Sequence, residues 1–562
     1  MAAEAPAHAS AHLDRFALDR LPPAAALPEF VFDLPGLQLP PRLNATAALL
    51  DAAVARGLGG QPCLLGEGVA WSYAQTKAEV DRIAGVLVHQ LGLVAGNRVL
   101  LRGANTPLLA ACMLAVMKAG GIAVGTMPML RARELATIID KAQISHALCD
   151  GRLADELAAA RPLCPSLHTV RHYGTPAAPG ELEAAAAREP GHFEPVDTAA
   201  TDVALLAFTS GTTGVPKGTM HFHRDLIAAC ACWPPHVLRA QASDRFIGSP
   251  PLAFTFGLGG LLLFPLAAGA STVLLEKASP EALLPAIGRF GATVCVTAPT
   301  SYRAMAALVA QMPQPPMPTL RKCVSAGEAL PAATRTLWRQ TTGVEIIDGI
   351  GSTEMFHIFI SAREDQARGG ATGLPVPGYR AAILGDDGRE LPPGQVGRLA
   401  VKGPTGCKYL DDPRQAQYVQ GGWNLTGDAY LVDPADGQFV YQARTDDMIV
   451  SGGYNIAGPE VEAALLLHPA VAECGVVGAP DEARGMLVKA FVVLKPGHEG
   501  DAAMAAALQD FVKQTIAPYK YPRAVVFRSS LPRTETGKLQ RFRLKQEPEA
   551  GACGLSLTLP PA

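Results

Sequence analysis

Ten residues near the middle of the chain combine glycines, hydroxyl side chains and one lysine in a short stretch. They read Thr209-Ser-Gly-Thr-Thr-Gly-Val-Pro-Lys-Gly218 and follow the apolar run 203–208, which predicts a buried strand. Glycines let backbone N–H groups crowd around an anion, hydroxyls donate further hydrogen bonds, and lysine adds a positive charge. The spacing differs from the Gly-x-x-x-x-Gly-Lys-[Ser/Thr] loop, because Gly211 and Gly214 are only three positions apart. A polar surface turn is the alternative, but the complete string predicts a loop that holds a polyphosphate.

Five further strings follow this loop and carry carboxylates, hydroxyls and glycines. In chain order they are Ser325-Ala-Gly-Glu-Ala-Leu330, Asp348-Gly-Ile-Gly-Ser-Thr-Glu354, Thr426-Gly-Asp428, Arg444-Thr-Asp446 with Ser451-Gly-Gly-Tyr-Asn455, and Pro532-Arg-Thr-Glu-Thr-Gly-Lys538. Thr-Gly-Asp alone is common, but six strings in one order resemble the adenylate-forming enzymes: acyl-CoA synthetases, adenylation domains of peptide synthetases, and luciferases. The resemblance covers about residues 45–545 and implies an enzyme that uses ATP, CoA and Mg²⁺.

The resemblance implies a role for each motif in the first half-reaction. Lys538 would bridge the substrate carboxylate and the α-phosphate, Thr353 would contact that phosphate, and Glu354 would hold Mg²⁺, which favours carboxylate and phosphate oxygens. Asp428 would accept from both ribose hydroxyls, with Arg444 supporting the same ribose. The implied nucleotide-binding residues are Thr209, Ser210, Gly211, Thr212, Thr213, Gly214, Lys217, Ala326, Gly327, Glu328, Asp348, Gly349, Ile350, Gly351, Ser352, Asp428 and Arg444.

One position departs from the family pattern. The string Asp348–Glu354 contains the residues that resemble the family's phosphate-side motif. The first residue of that motif is usually aromatic, and here it is Ile350. The adenine would then pack on an aliphatic side chain, which changes its packing and leaves the chemistry of the motif intact.

The second half-reaction needs a different partner for the acyl group, and the resemblance implies that a small C-terminal domain rotates to supply it. Asp446 occupies the hinge position of this rotation. The predicted catalytic residues are therefore Lys538, Glu354, Thr353 and Asp446. The loop that would line the tunnel for the CoA thiol consists of Ser451, Gly452, Gly453 and Tyr454.

The residues around the phosphate-side motif indicate which acid is activated. Gly-Ser-Thr-Glu-Met-x-His-Ile resembles the benzoate-CoA ligase branch, and Pro-Leu-Ala-Phe-Thr-Phe-Gly-Leu-Gly resembles its 2-aminobenzoate (anthranilate) members. The predicted substrate pocket comprises Phe254, Thr255, Phe256, Gly257, Tyr302, Gly351, His357 and Ile358. Phenylalanine rings suit an aromatic acid, although each phenylalanine could equally be core, and His357 could be a buried core histidine. The pattern leaves benzoate, 2-aminobenzoate and small fluoro or hydroxy analogues open.

Alternating short apolar strands and amphipathic helices must position these residues. The pattern predicts an α/β fold: a large N-terminal domain of two covered, mostly parallel sheets with a small antiparallel region over 373–443, and a small mobile α+β C-terminal domain. We expect an N-terminal arm at 1–45, the AMP-binding domain at 46–444, the small domain at 445–545 and a flexible tail at 546–562. The alanine-, glutamate- and proline-rich segment 151–200 is expected to be peripheral.

Composition narrows the functional classes. The net charge is −3 with 18% charged residues, which does not favour a nucleic-acid partner. The uncharged stretch between Arg245 and Glu276 is interrupted by Pro251 and Pro265, so it predicts buried core and no membrane span. Eleven scattered cysteines without a Cys-x-x-Cys pair, and no signal-peptide pattern, predict reduced thiols in a cytoplasmic protein. Both a monomer and a homodimer remain open.

These observations favour an ATP-dependent aryl-CoA ligase that adenylates benzoate or 2-aminobenzoate and transfers the acyl group to CoA. A stand-alone enzyme that loads the thiol of a carrier protein is the alternative, although no carrier domain follows. A non-catalytic nucleotide sensor is disfavoured because the charged motif residues are all present, and an acyl hydrolase is disfavoured because no Gly-x-Ser-x-Gly motif stands out. A lysine acetyltransferase is a further candidate partner, since acetylation would remove the charge of Lys538.

Overall fold

The computed structural model describes residues 9–209, 216–313, 315–327, 330, 332–385, 387–444, 448–532, 541–546 and 556–558. The chain divides into two units. The first comprises Met1–Pro128, Ile138–Phe208 and Gly218–Ala443, and the second comprises Met129–Thr137, Thr209–Lys217 and Arg444–Ala562.

Strands β1 to β20 lie wholly or mostly in the first unit. Their bounds are β1 Pro62–Gly66, β2 Val69–Ser72, β3 Arg98–Arg102, β4 Ile122–Thr126, β5 His146–Asp150, β6 Thr169–Tyr173, β7 Val203–Thr209, β8 Lys217–Phe222, β9 Arg245–Gly248, β10 Ser271–Val273, β11 Val294–Thr297, β12 Lys322–Ser325, β13 Ile346–Gly351, β14 Ile358–Ser361, β15 Leu374–Pro375, β16 Arg380–Leu384, β17 Gly397–Lys402, β18 Val419–Gln420, β19 Trp423–Val432 and β20 Phe439–Arg444. Strands β21 to β26 belong to the second unit. Their bounds are β21 Met448–Ser451, β22 Tyr454–Ala457, β23 Val471–Asp481, β24 Gly485–Leu494, β25 Ala524–Phe527 and β26 Ser556–Thr558.

Fifteen α-helices are present among the described residues. Their bounds are α1 Tyr73–Gly85, α2 Pro107–Lys118, α3 Ala132–Ala142, α4 Ala154–Ala160, α5 Glu181–Ala186, α6 His223–Trp233, α7 Thr255–Leu258, α8 Phe264–Ala268, α9 Pro280–Phe290, α10 Pro299–Val309, α11 Ala332–Thr342, α12 Gln415–Tyr418, α13 Gly458–Leu466, α14 Ala502–Thr515 and α15 Arg541–Gln546. Short 3-10 helices lie at Leu18–Arg20, Ala24–Ala26, Pro35–Leu37, Gly151–Leu153, Arg161–Leu163 and Pro518–Lys520, and single π-helical segments lie at Ala47–Asp51, Val54–Leu58, Val86–Gln90, Pro234–Leu238 and Gly259–Leu263.

The first sheet has six strands in the order β6-β5-β3-β4-β7-β8. The pairs β5–β6, β3–β5, β3–β4 and β4–β7 are parallel. Residues 203–208 of β7 are all buried, which explains why this strand is an uninterrupted apolar run. The strand ends at Thr209, so the predicted phosphate loop begins where a buried strand stops.

The second sheet has nine strands in the order β15-β14-β13-β12-β11-β9-β10-β1-β2. Six neighbouring strands of this sheet, β13, β12, β11, β9, β10 and β1, run parallel. Strands β14 and β15 at one edge and β2 at the other are antiparallel to their neighbours. Strand β13 carries Asp348 to Gly351, and β14 returns beside it from Ile358. The residues between these two strands, 352–357, are thereby held at the end of the sheet.

A smaller antiparallel sheet completes the first unit. Strands β16, β17, β19 and β18 follow in this order, and β20 also pairs with β19. Strand β19 contains the Thr426-Gly-Asp428 motif. The N-terminal residues lie against this unit: the N–H of Asp14 donates to Ala95 O (3.0 Å) and the N–H of Val31 donates to Gly403 O (2.9 Å).

The second unit is a mixed sheet with helices. Its strand order is β22-β21-β24-β25-β26 with β23 beside β24, and β24–β25 is its parallel pair among the described strands. Side chains of α13 and α14 pack with β21 to β25 in one apolar core, which includes Val461, Leu508 and Val525. This α+β composition matches the prediction for the C-terminal region.

The predicted fold class is confirmed, because mostly parallel sheets in a large first unit precede a smaller α+β unit. Segment 151–200 contains more regular structure than its composition indicates: β6 pairs in parallel with β5 at a sheet edge, and α5 contributes Leu182 to the main core. Among the described helices, none is both long and apolar enough to cross a membrane. Ten of the eleven cysteines are described, and all ten are buried.

Candidate functional site

A six-residue turn, Ser352 to His357, connects β13 to β14 and contains residues predicted for both phosphate and substrate. The Ser352 hydroxyl accepts from the N–H of Met355 (3.2 Å), and the N–H of Phe356 donates to Thr353 O (3.1 Å). Phe356 is fully buried and has a φ of +71°, a left-handed conformation that costs a non-glycine residue about 1–2 kcal/mol. The surrounding packing therefore maintains a strained turn next to the predicted reaction centre.

The carboxylate of Glu354 is buried and is held by a tyrosine. The Tyr409 hydroxyl donates to Glu354 Oε1 in a short hydrogen bond, and Glu354 is only 7% exposed. Burial and the adjacent negative charge of Glu354 raise the pKa of Tyr409 far above its usual range, so the hydroxyl keeps its proton and acts as the donor.

Two further side chains, which lie near Tyr409 in the sequence, contact the turn at 352–357. The Thr405 hydroxyl donates to Met355 O (2.7 Å), and the hydroxyls of Tyr418 and Ser352 are 3.1 Å apart. The rings of Tyr409 and Tyr418 meet edge to face with centroids 5.9 Å apart. Residues 405–418, which we call the bracing segment, thus contact the turn at three places.

A buried ion pair anchors the bracing segment. Lys408 Nζ donates to Asp225 Oδ2 at 2.8 Å, and both side chains are completely buried. Burial lowers the pKa of Lys408, while the Asp225 charge opposes that change. His221, also fully buried, meets the Phe356 ring edge on at 5.4 Å, and burial followed by the Lys408 charge lowers its pKa to about 4.

His357 lies within a cluster of aromatic rings. Its ring centroid is 4.4 Å from Phe264 in an edge-to-face contact, 5.6 Å from Phe256 and 5.8 Å from Trp233. His357 is 4% exposed, and burial lowers its pKa to about 3, so the imidazole is neutral throughout the physiological range. We call His357, Phe256, Phe264 and Trp233 the aromatic wall.

Two close contacts fix the orientation of the His357 ring. Its Nε2 lies 3.3 Å from Phe256 O, which assigns the proton of the neutral ring to Nε2, since a carbonyl can only accept. A Cβ added at Gly259 would lie 2.5 Å from His357 Cδ2, so the ring occupies the space that a side chain at this position would need. The pocket side of the turn is therefore tightly packed.

The predicted substrate residues 254–257 form the start of α7. Phe254 precedes this helix in an extended conformation, and Phe256 is half-buried and packs against the main core. A Cβ at Gly257 would lie 2.1 Å from Pro251 O, so no larger residue fits without moving the backbone. Ile358 is buried at the start of β14, and its side chain fills the space beside Gly349.

The structure does not bring Tyr302 to these residues. Tyr302 is fully buried in a second apolar core, where its ring contacts Trp338 edge to face at 4.9 Å. Its hydroxyl lies 2.9 Å from Cys295 O and 3.0 Å from Val324 O and shares its proton between them. A side chain with no exposed surface and a satisfied hydroxyl is a core residue, so the placement of Tyr302 in the substrate pocket is corrected.

Two of the predicted nucleotide-binding motifs lie where strands β12 and β13 of the second sheet end. Asp348 is buried in β13, and burial raises its pKa to about 7, with the Arg335 charge and a Ser325 hydrogen bond opposing that rise. Its Oδ1 has no hydrogen-bond partner among the residues that the structure describes. Ala326 follows β12, and Gly327 has a φ of +94°, which favours glycine. Ile350 and Ser352 are half-buried and Gly351 is exposed, so this strand end is accessible.

The ribose motif lies in the antiparallel sheet. Asp428 is 8% exposed, and its N–H donates to the Thr426 hydroxyl at 3.2 Å across Gly427, which has a φ of +79°. Arg444 ends β20. Its side chain lies outside the described part of the chain, as do the predicted residues Ser210, Gly211, Thr212, Thr213, Gly214, Glu328, Asp446 and Lys538. Thr209 and Lys217, which flank the phosphate loop, are described and half-buried.

The predicted CoA loop is a tight hairpin between β21 and β22. Ser451 pairs with Tyr454, and the intervening Gly452 and Gly453 have φ values of +57° and +79°, the combination of a two-residue type I′ turn. Tyr454 stacks on Tyr519 with ring centroids 4.3 Å apart. Side chains at the two glycines would strain the turn, so the sequence favours a bare backbone at its tip.

Sequence reasoning missed the aromatic partners Trp233 and Phe264 and the bracing residues Tyr409 and Tyr418. Trp233 ends α6 and Phe264 begins α8, so neither lies in a motif. Tyr409 lies more than fifty residues after the glutamate that it contacts. A buried lysine beside a tyrosine in an otherwise apolar run was the available signal, but its partner Asp225 is 183 residues away.

The described residues fit Mg²⁺ that is held mainly by substrate phosphates. They contain no group of three or more histidine, cysteine, aspartate or glutamate side chains that could hold a metal ion. Glu354 supplies one buried carboxylate, which would suit an ion whose other ligands are phosphate oxygens and water.

The fold and the site together define a class. Two mostly parallel sheets followed by a small α+β unit, with carboxylates and glycines at the strand ends, form the architecture of the adenylate-forming enzymes. The AMP-binding enzyme family model matches residues 51–409, and that of the AMP-binding enzyme C-terminal domain matches residues 460–538. The chain belongs to the AMP-binding enzyme family. The predicted enzyme class, an AMP-forming acyl-CoA ligase, is confirmed.

Three proteins that are similar to this chain are CoA ligases of aromatic acids. The benzoate–CoA ligase of Thauera aromatica is 36% identical over 520 residues, which cover 91% of this chain and 97% of that protein. The 4-hydroxybenzoate–CoA/benzoate–CoA ligase of Rhodopseudomonas palustris is 31% identical over 517 residues, covering 90% and 94%. A solved anthranilate CoA ligase in complex with anthranoyl-AMP superposes with a TM-score of 0.70 at 34% identity, covering 91% of this chain and 98% of that one.

Proposed function

We propose that this ligase activates a small aromatic carboxylate, benzoate or 2-aminobenzoate, as the acyl-AMP and transfers the aroyl group to CoA. The aromatic wall carries this proposal, because the neutral imidazole of His357, three residues after Glu354 in the sequence, packs with three aromatic rings. Flat rings complement a flat substrate through edge and offset contacts. Similarity to benzoate and anthranilate CoA ligases supports the same substrate class.

The chemistry explains why ATP is consumed. A carboxylate is a poor electrophile because its leaving group would be oxide, whereas the acyl-AMP anhydride has a good leaving group that a thiolate can displace. In the first step the carboxylate attacks the α-phosphorus and pyrophosphate leaves. Two anions approach each other in this step, so positioning and charge neutralisation supply most of the catalysis.

We assign the roles in this step to the motif residues. Glu354 would hold Mg²⁺, which would neutralise phosphate charge, and Thr353 would donate to the α-phosphate. Lys538 neutralises the approaching carboxylate and phosphate, and Asp428 accepts from the ribose hydroxyls. Asp348 would lie beside the adenine, where its Oδ1, which has no hydrogen-bond partner among the described residues, would be available to a donor of the base.

The second step requires CoA to reach the acyl-AMP. We propose that the C-terminal domain, beginning near residue 445, rotates about Asp446 and presents the hairpin with Gly452 and Gly453 to pantetheine. The positive φ values at these two positions favour glycine, and the two glycines leave the tip of the hairpin without side chains, which supports this assignment.

The test is the steady-state kcat/KM of pyrophosphate release and of thioester formation with a panel of benzoate, 2-aminobenzoate, 4-hydroxybenzoate, phenylacetate and octanoate. The proposal predicts the highest values for benzoate and its 2-substituted forms. His357→Leu should lower the preference for the aromatic acids and leave the KM for ATP unchanged. Equal efficiency with octanoate, or pyrophosphate release without thioester, would contradict the aromatic substrate or the CoA acceptor, respectively.

A further inference from the structure

We propose that Tyr409 is a positioning residue for ATP and its magnesium ion, acting through the carboxylate of Glu354. The inference rests on the role proposed above for Glu354 and does not depend on which acid is activated. The Tyr409 hydroxyl donates directly to Glu354 Oε1, and both side chains are buried. Tyr409 is not part of any of the six motifs.

The direction of this hydrogen bond gives it functional meaning. The carboxylate oxygen accepts this hydrogen bond from the tyrosine hydroxyl, so the bond stabilises the ionised carboxylate and fixes the position of Oε1. Hydrogen bonds to charged groups are roughly twice as strong as those between neutral groups. The bond therefore selects one rotamer of Glu354 before the nucleotide arrives, which reduces the ordering cost of binding.

The backbone holds Tyr409 in place. Thr219 of β8 forms an antiparallel bridge with Tyr409, the N–H of Met220 donates to Lys408 O (2.7 Å), and the N–H of Leu410 donates to Gly218 O (2.8 Å). Strand β8 is the strand that follows the predicted phosphate loop. The residue that positions Glu354 is thus attached to the strand that leaves this loop.

Side-chain contacts fix Tyr409 from its other neighbours. Lys408 is paired with the buried Asp225, and the N–H of Tyr409 donates to Gln415 Oε1 at 2.9 Å. Thr405 and Tyr418 bond to Met355 and Ser352 independently of Glu354. Removal of the Tyr409 hydroxyl should therefore remove this one restraint on the Glu354 carboxylate while the remaining contacts keep the turn in place.

The experiment is a double-mutant cycle on the full-length enzyme with Tyr409→Phe, Glu354→Gln and the double variant. The main readout is the dissociation constant of ATP measured by calorimetry with Mg²⁺ and with EDTA, without any carboxylic acid. The proposal predicts that Y409F weakens binding about tenfold in the presence of Mg²⁺, because the charged carboxylate loses a hydrogen bond. With EDTA, Y409F and the wild type should bind ATP alike. In the E354Q background, Y409F should have no further effect.

Tyr73→Phe is the matched control. The Tyr73 hydroxyl is also fully buried and donates to Ala270 O at 2.7 Å, and neither of these two residues belongs to a motif. Y73F should lower the melting temperature of the ligand-free protein without changing the ATP dissociation constant. Glu354→Asp is the second route if Y409F folds poorly. It keeps the charge but shortens the side chain by one methylene, so it should weaken magnesium-dependent binding with the tyrosine intact.

Three results would overturn the proposal. If E354Q leaves ATP binding with Mg²⁺ unchanged, the role of Glu354 is wrong and the proposal fails with it. If E354Q weakens binding but Y409F does not, Tyr409 has no positioning role. If Y409F weakens binding equally in the wild-type and E354Q backgrounds, Tyr409 acts by a route other than Glu354. Failure of the aromatic substrate assignment would alter none of these measurements.

Discussion

Replacement of Gly259 by alanine tests the aromatic wall most specifically. The added Cβ would lie 2.5 Å from His357 Cδ2 and 3.0 Å from its Nε2. Ordinary carbon contacts are about 3.5–4.0 Å, so the ring must move by about 1 Å. Phe264 and Trp233 pack against the same ring at 4.4 and 5.8 Å between centroids, which limits where it can move.

The structure sets the magnitudes for this variant. Overpacking a filled core costs about 1–3 kcal/mol, whereas alanine at a helical position gains up to about 1 kcal/mol over glycine. Gly259 has helical backbone angles, with φ −64° and ψ −60°, so both contributions apply. The free energy of unfolding should fall by no more than about 2 kcal/mol, and the protein should remain folded.

The functional effect should be confined to the carboxylic acid substrate. A displaced His357 narrows or reshapes the substrate pocket, and we expect kcat/KM for benzoate to fall about tenfold, which corresponds to about 1.4 kcal/mol of transition-state binding. The KM for ATP should stay unchanged, because the wall lies on the substrate side of the turn. The assay is pyrophosphate release at varied benzoate with saturating ATP.

Gly260→Ala is the control, since it makes the same change one residue later. Its Cβ would lie 3.1 Å from Val296 Cγ1 and 3.9 Å from His357 Nε2, so the imidazole need not move. G260A should retain benzoate kinetics within about twofold. Equal benzoate kinetics in G259A, G260A and the wild type, with all three folded, would refute the placement of His357 in the substrate pocket.

Three further predictions address the charges and hydroxyls of the core. Lys408→Met leaves Asp225 buried without its partner and should lower the free energy of unfolding by about 3–5 kcal/mol in a denaturant titration; a loss below about 1 kcal/mol would contradict a buried ion pair. Tyr302→Phe should cost about 1–2 kcal/mol of stability with no change in the KM for benzoate, and a large rise in that KM would return Tyr302 to the substrate pocket. The pKa of His357 is lowered to about 3, so the unfolded chain binds more protons than the folded one between about pH 3 and pH 6.5, and stability is lost as the pH falls through this window. Between pH 4 and pH 6, His357→Gln should reduce the slope of unfolding free energy against pH by about 1.4 kcal/mol per pH unit, and an unchanged slope would mean that the imidazole is not buried as a neutral group.

Local patterns were sufficient for much of the fold because local physics determines them. Segment 203–208 is uniformly apolar since β7 is covered on both faces, and α2 is bounded by Thr106, which caps it, and by the turn after Lys118. Helix α1 begins at Tyr73, because Ser72 and Gln75 form a capping box directly after β2. Strand β6 was missed because it lies at a sheet edge, where four of its five residues are only half-buried and no alternation develops.

The site was predictable only where it coincides with a contiguous motif. Glu354 and Asp428 each lie in a contiguous motif, so the sequence pattern alone identifies them. The aromatic wall combines residues of α6, α7, α8 and the turn, and its members Trp233 and His357 are 124 residues apart in the sequence. Tyr302 illustrates the opposite error. An aromatic residue near the start of α10 fits a pocket by type, and only the three-dimensional packing shows that its hydroxyl is satisfied inside another core.

The most direct measurement is a competition experiment with the purified enzyme, ATP, Mg²⁺, CoA and equimolar benzoate, 2-aminobenzoate and octanoate. The thioesters formed during the first few per cent of conversion are quantified by mass spectrometry, so that their ratios equal the ratios of kcat/KM. An aryl-CoA ligase with the aromatic wall described above should form benzoyl-CoA or 2-aminobenzoyl-CoA in large excess over octanoyl-CoA. Octanoyl-CoA as the main product would contradict the aromatic pocket, and aroyl-AMP that accumulates without any thioester would contradict CoA as the acceptor.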